Sequence, residues 1–264
     1  MYSSRLALVG RLSMALLAVL VLGGLAAAAA QAEEAPRWSR EGKNLAQGET
    51  HYITAKTYTT KANPGFTLAA MSHLAVACDS VKLREGVISG SSAGNPGTNN
   101  EVIEVFGNCR LTGNGGNCKV KEPIATSNLK SELVEDEKKE HLLMGFFPEN
   151  GSVFVTLHFE GSECKTGNPS SINMTGAVAA EVLTDPNNGE LGEKVLPNNK
   201  REATSWLLNF PETLIKKVLL IKGGVGEEVK TELTAFALYA TLTGTALISL
   251  ANKNHEAEEI NWSF

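Results

Sequence analysis

Gly90-Ser91-Ser92-Ala93-Gly94 fits the Gly-x-Ser-x-Gly pattern of a nucleophile elbow. Asp185 and His255 follow it in the order an α/β-hydrolase uses. Such an elbow lifts the serine hydroxyl above a parallel sheet, on a sharp turn between a strand and a helix. Here the motif runs into Asn95-Pro-Gly-Thr-Asn-Asn100, which cannot start a helix of useful length. The pentapeptide therefore reads as a loop of small residues, and no catalytic residue is assigned.

Glycosidic cleavage would need two acids facing each other across a cleft, roughly 5–9.5 Å apart. Glu101 and Glu104 share a strand-like run but sit on opposite parities, hence on opposite faces. Glu132, Glu135, Asp136 and Glu137 form a charge run with Lys138 and Lys139, the pattern of a solvated face. Asp185-Pro-Asn-Asn-Gly-Glu190 offers oxygen ligands of the kind calcium takes, without EF-hand spacing, and reads as an Asx-rich turn. Gly223-Gly-Val-Gly226 lacks the Lys-Ser/Thr of a phosphate loop and reads as a hairpin turn. These patterns imply no cofactor and no metal.

Arg5 and Arg11 are the only charged residues before Glu33. An apolar stretch from Met14 follows, ending in Ala30-Gln31-Ala32. That is a secretory signal peptide over residues 1–32, cut after Ala32, and its apolar part is short for a membrane-spanning helix. Removal takes away two arginines and no acid, so the net charge moves from −5 to −7. No basic footprint for nucleic acid is present.

Cys78, Cys109, Cys118 and Cys164 all follow the cleavage site. Export to an oxidising compartment makes two disulfides the expectation, and the absence of Cys-x-x-Cys argues against zinc. Four cysteines allow three pairings. Cys109 and Cys118 bracket a glycine-rich tip that could reverse the chain, which favours 109–118 and leaves 78–164.

The elements that would position these residues are strands. Val153, Val155, Leu157 and Phe159 alternate with Ser152, Phe154, Thr156 and His158, while Met174, Val178, Ala180 and Val182 share one parity, as do Trp206, Leu208 and Phe210. The longest case runs from Glu232 to Ala251, with Phe236, Leu238, Ala240, Leu242, Ala246, Ile248 and Leu250 on one face and threonines on the other. Gly244 marks a bulge or turn within it. Pro148-Glu-Asn-Gly151 between two apolar runs predicts a hairpin. Asn128–Leu143 is compatible with a strand or a short helix. The C-terminal Ile260-Asn-Trp-Ser-Phe264 ends in phenylalanine, as outer-membrane barrel chains do, but reads better as a closing edge strand.

Several short motifs carry a resemblance across most of the chain after residue 32. They are Pro36-Arg-Trp38, Gly42-Lys-Asn-Leu-Ala-Gln-Gly48, Leu74-Ala-Val-Ala-Cys78, Gly107-Asn-Cys109, and Phe159-Glu-Gly161 before Cys164. Together they resemble a group of secreted proteins common in high-GC Gram-positive bacteria. The resemblance implies export and a β-rich, disulfide-bonded fold, and it carries over no activity and no functional residue.

The expected fold is all-β, an antiparallel sandwich or distorted barrel after an N-terminal signal helix. It is one domain over 33–264, with 201–264 supplying closing strands. The expected role is a non-enzymatic binding or structural protein of the cell envelope or exterior. Its partner would be a cell-wall glycan or an envelope protein, with no membrane span after cleavage. A secreted hydrolase acting on glycans or esters is the alternative.

Overall fold

The computed structural model describes residues 35–59, 65–71, 74–102, 104–112, 118–139, 141–161, 164, 170–183, 194–195, 201–212 and 215–263. Every regular element among them is a strand. The signal peptide expected over 1–32 lies outside the described residues.

Two short strands, β1 (Ser39–Arg40) and β2 (Lys43–Asn44), precede eight antiparallel runs of chain. The first run is β3 (Thr50–Thr57) and β4 (Phe66–Met71). The second is β5 (Leu74–Leu83) and β6 (Val87–Ser89), and the third is β7 (Thr98–Val102) and β8 (Glu104–Thr112). After the two-residue β9 (Lys119–Val120) comes the fourth run, β10 (Ile124–Ala125) and β11 (Leu129–Glu135). The fifth is β12 (Leu142–Pro148) and β13 (Val153–Glu160), and the sixth is β14 (Ser171–Gly176) and β15 (Val178–Leu183). A detached pair, β16 (Lys194–Val195) and β17 (Arg201–Glu202), leads to the seventh run. That run begins with β18 (Ser205–Phe210), detours through β19 (Lys217–Lys222) and β20 (Val225–Lys230), and resumes as β21 (Leu233–Ala235). The eighth run is the unbroken β22 (Leu238–Ala251), and β23 (Trp262–Ser263) ends the chain.

Each run bonds to the one before and the one after it. The eighth returns to the first, β22 pairing with β4 through Thr241–Thr243 and with β3 through Ala246–Ala251. The expected sandwich or distorted barrel is thus a closed antiparallel barrel in meander order. Closure leaves no unpaired edge along the wall, the liability of an open sheet. Asn128–Leu143, left open between strand and helix, contributes β11 and the start of β12.

One turn reading is corrected. Pro148–Gly151 does not reverse the chain. Phe146 faces Val178 and Val153 faces Thr175, while on the other flank Pro148 faces Leu129 and Val155 faces Thr126. Both strands therefore run in the same direction within one wall position, and the turn residues bulge out of the ladder between them. A local turn signal says that the path bends, whereas neighbouring runs decide where it resumes.

Alternation sets what lies inside. Leu133, Met144 and Ala180 point into one large core, while their neighbours Val134, Leu143 and Ala179 point outwards. The outward set is covered by Val218 and Leu220 of the β19–β20 hairpin, which folds back over the wall and pairs Leu219 with Glu135. Glu132 lies under the same hairpin, held by Lys130 at 2.7 Å and Lys222 at 3.7 Å. It is a buried carboxylate and not part of the solvated face that the charge run suggested.

The barrel centre is aromatic. Phe66 meets Phe106 at 5.6 Å and Phe210 at 6.0 Å between ring centroids, and Phe210 meets Phe146 at 5.7 Å. Gly244 lets Phe66 sit there. A Cβ at Gly244 would stand 2.5 Å from Phe66 Cδ1, and its φ of 146° suits glycine. Strand β22 runs straight through this position without turning.

The disulfides join Cys78 to Cys109 and Cys118 to Cys164, correcting the expected 109–118 and 78–164. Cys78 and Cys109 are direct cross-strand partners on β5 and β8, with Cα atoms 4.0 Å apart. Cys118 precedes β9, which pairs with β13 at Val120–Phe159 and Lys119–Glu160, so it arrives beside Cys164. The glycine-rich tip brackets two cysteines that belong to different neighbours.

Non-reducing peptide mapping should return the pairs 78–109 and 118–164. Breaking either, with loops of 31 and 46 residues, is expected to cost about 4 kcal/mol in urea unfolding. Gly244→Ala should cost roughly 3 kcal/mol by the same measurement, through overpacking against Phe66. Wild-type stability in that variant would contradict the packing described.

Candidate functional site

The two ends of the barrel differ. At one end, β1 pairs with β2 and with β23, the first and last described strands forming a small sheet across the opening. All three tryptophans of the chain lie here. Trp38 and Trp262 rings lie 5.4 Å apart. Each indole N–H donates to a backbone carbonyl: Trp38 to Thr98, Trp206 to Trp262, and Trp262 to Thr204, at 3.0–3.2 Å. A tryptophan buried with its N–H satisfied contributes apolar area at no polar cost. Glu202, also buried, accepts a hydrogen bond from the Gly42 amide and fixes the β1–β2 turn. This end is a plug.

The opposite end carries the connections after β4, β8, β13 and β21, with the Cys118–Cys164 bridge tying two of them together. Three of the exposed large apolar side chains cluster there. Phe236, Leu238 and Tyr239 are 53%, 56% and 58% exposed. Period-two reading had grouped Phe236 and Leu238 with the buried face. Their parity is that of the interior, but they lie at the corner where β21 turns into β22 and are more than half exposed. The β21–β22 register, which the sequence pattern does not fix, is the signal that would have separated them.

The serine motif lies in the loop between β6 and β7. Ser91 Oγ donates to the Asn95 carbonyl at 2.8 Å, and Asn95 Nδ2 donates to Ser92 Oγ at 2.9 Å. Its glycines allow backbone contact: Gly90 lies against Ala46, and the Gly224 amide donates to the Gly94 carbonyl at 3.0 Å. Gly223-Gly224 is the β19–β20 turn, as its sequence suggested. His255 packs against the Tyr52 ring, 5.7 Å between centroids. Asp185 and the Asx-rich turn lie outside the described residues. Among the described residues no group of three or more His, Cys, Asp or Glu is placed to hold a metal ion.

Glu104 emerges as the distinctive ionisable group. It points into the barrel with 5% exposure, and Oε2 has no hydrogen-bond partner. Asn99 (1% exposed) and Ser131 face each other across β7 and β11, and their side-chain polar atoms are also unpartnered. An irregularity in that ladder turns both Asn99 and Val102 inwards. Glu104 and Asn99 line a cavity of about 10 Å³ with Val102, Phe106's neighbour Phe66, and Met144. That is the size of one water molecule and too small for an organic ligand. Burial pushes the Glu104 carboxyl up to about 7.

The fold and these features define an antiparallel, disulfide-bridged β-barrel with an apolar interior, one plugged end and one loop-bearing end. No protein-family model matches the chain, and neither a curated protein nor a solved structure matches it.

Glu104 stays protonated in the folded chain up to about pH 7, while in the unfolded chain it ionises near its ordinary 4.5. The unfolded state therefore loses its proton first. Stability should fall by roughly 3 kcal/mol as pH rises from about 4.5 to about 7, then level off. Glu104→Gln is expected to remove this slope, so the difference between the two proteins in urea unfolding should grow from pH 4 to pH 8. A constant difference would show that the carboxyl is not buried as described.

Proposed function

We propose that the protein is an exported, non-catalytic binding module of the cell envelope or exterior. It holds loops on a rigid barrel and presents them to a cell-wall glycan or an envelope protein. The asymmetry of the two ends carries this reading: one is covered by the β1–β2–β23 sheet, and the other gathers tethered loops and the adjoining exposed side chains of Phe236, Leu238 and Tyr239. Binding residues concentrate on loops held by a rigid scaffold, and clustered exposed apolar side chains mark contact surfaces. Two disulfides support residence in an oxidising compartment. No helix among the described residues is long and apolar enough to cross a membrane. The wall is apolar inside and polar on much of its outer face, as at Thr241, Thr243 and Lys56, the reverse of a lipid-facing barrel.

The mature chain should bind purified cell-wall glycan or envelope fractions saturably. It should turn over no glycan or ester substrate and take up no serine-reactive probe at Ser92. Turnover, or labelling of Ser92, would replace this reading with the hydrolase alternative.

A further inference from the structure

The β21–β22 connection is a two-residue turn. Ala235 faces Leu238, and Phe236 and Ala237 occupy the corner with φ of 52° and 60°. Two consecutive positive φ values call for glycine, asparagine or aspartate, and a bulky residue there is a genuine outlier. The same chain meets the requirement elsewhere: Gly223-Gly224, between Lys222 and Val225, has φ of 60° and 76°. At 236–237 it places an aromatic side chain in the strained position and leaves it exposed. Phe236 is not held there by core packing, so the conformation serves the tip itself.

Leu238 and Tyr239 flank the tip, both more than half exposed. Lys216 Nζ sits 5.0 Å over the Tyr239 ring. Beside it Lys217 faces Lys230 across β19–β20, with Glu228 bonded to Lys217 at 2.7 Å and Glu232 also close to it in charge. The flank is mixed in sign, so the apolar side chains and not net charge must supply the attraction.

A specific protein interface buries about 1,000 Å² or more with a shaped counterpart. The exposed tip has four residues, 236–239, against roughly 20–30 a side in such an interface. A bilayer needs no shaped counterpart. Aromatic and aliphatic side chains enter the acyl boundary, while a tyrosine hydroxyl and a lysine ammonium stay at headgroup level. We propose that the β21–β22 tip docks the barrel on a lipid bilayer, Phe236 and Leu238 entering the acyl boundary and Tyr239 and Lys216 lying at the headgroups. This rests on the reading that the loop-bearing end is the working face. It adds a second kind of surface to the glycan or protein partner named there.

The test is flotation of the mature, disulfide-intact chain with phosphatidylcholine vesicles and with phosphatidylglycerol–phosphatidylethanolamine vesicles. Wild-type protein should float with both. The double variant Phe236→Asn/Ala237→Gly should bind about tenfold more weakly and yet melt at or above the wild-type temperature, because its residues suit the turn. Leu238→Ser should also weaken binding, at an unchanged melting temperature. Failure of the wild type to float, or variants that float like it, would overturn the proposal. Loss of envelope-glycan or protein binding in variants of a chain that never floats would assign the tip to that partner. A chain that binds neither vesicles nor envelope fractions would overturn the binding-module reading as well.

Discussion

Barrel closure depends on the seating of Phe66 against Gly244. Strand β22 is the one unbroken wall element, and it holds the seventh run on one flank and the first on the other. On the first-run flank its partner is interrupted between Thr57 and Phe66. The ladder is carried across by Tyr58, whose amide donates to the Thr245 carbonyl at 2.9 Å, and by the Phe66 ring over Gly244. Phe66 then anchors the ring cluster with Phe106, Phe210 and Phe146, drawn from three other runs. Without a glycine at 244 the ring is displaced, and the seam and the aromatic centre are disturbed together. Nonlocal contacts of this kind are expensive to form and cooperative once formed.

Among the described residues the barrel interior is filled by side chains, and the cavity beside Glu104 holds no more than a water molecule. One end is covered by the β1–β2–β23 sheet, packed through three satisfied indoles. On the outer wall, the β19–β20 excursion covers Val134, Leu143 and Ala179. Two departures from stable construction stand out among the described residues. Glu104, with Asn99 and Ser131, puts unpartnered polar groups into an apolar core, where each is costly. Phe236 and Ala237 put side chains where glycine belongs. The first is buried beyond reach of solvent, where burial holds the Glu104 carboxyl above its ordinary range. The second is at the surface, on the end left open by the plug.

Much of the fold was legible in residue order. The alternations at Met174, Val178 and Ala180, at Trp206, Leu208 and Phe210, and along 240–250 mark interior faces, because a wall buried on one side imposes period two. What pattern cannot supply is which strand lies next to which. Cys109 and Cys118 looked paired across a tight tip, yet β8 has β5 beside it and the Cys118 segment has β13. Pro148–Gly151 has hairpin chemistry, but its flanking strands find partners that keep them collinear. Phe236 and Leu238 have interior parity but lie exposed at the β21–β22 corner. Glu104 was set aside for lacking an acidic partner across a cleft. Its significance lies in burial, which only the third dimension shows.

The central claim is that the first and last runs of the barrel are hydrogen-bonded into one closed wall. Native-state amide hydrogen exchange read residue by residue tests it most directly. Closure requires that the paired amides of 52–57 and 246–251 exchange only by global unfolding, as slowly as those of the β11–β12 ladder. Exchange along 52–57 at rates typical of open edges, while β11–β12 stays protected, would contradict closure and the account built on it.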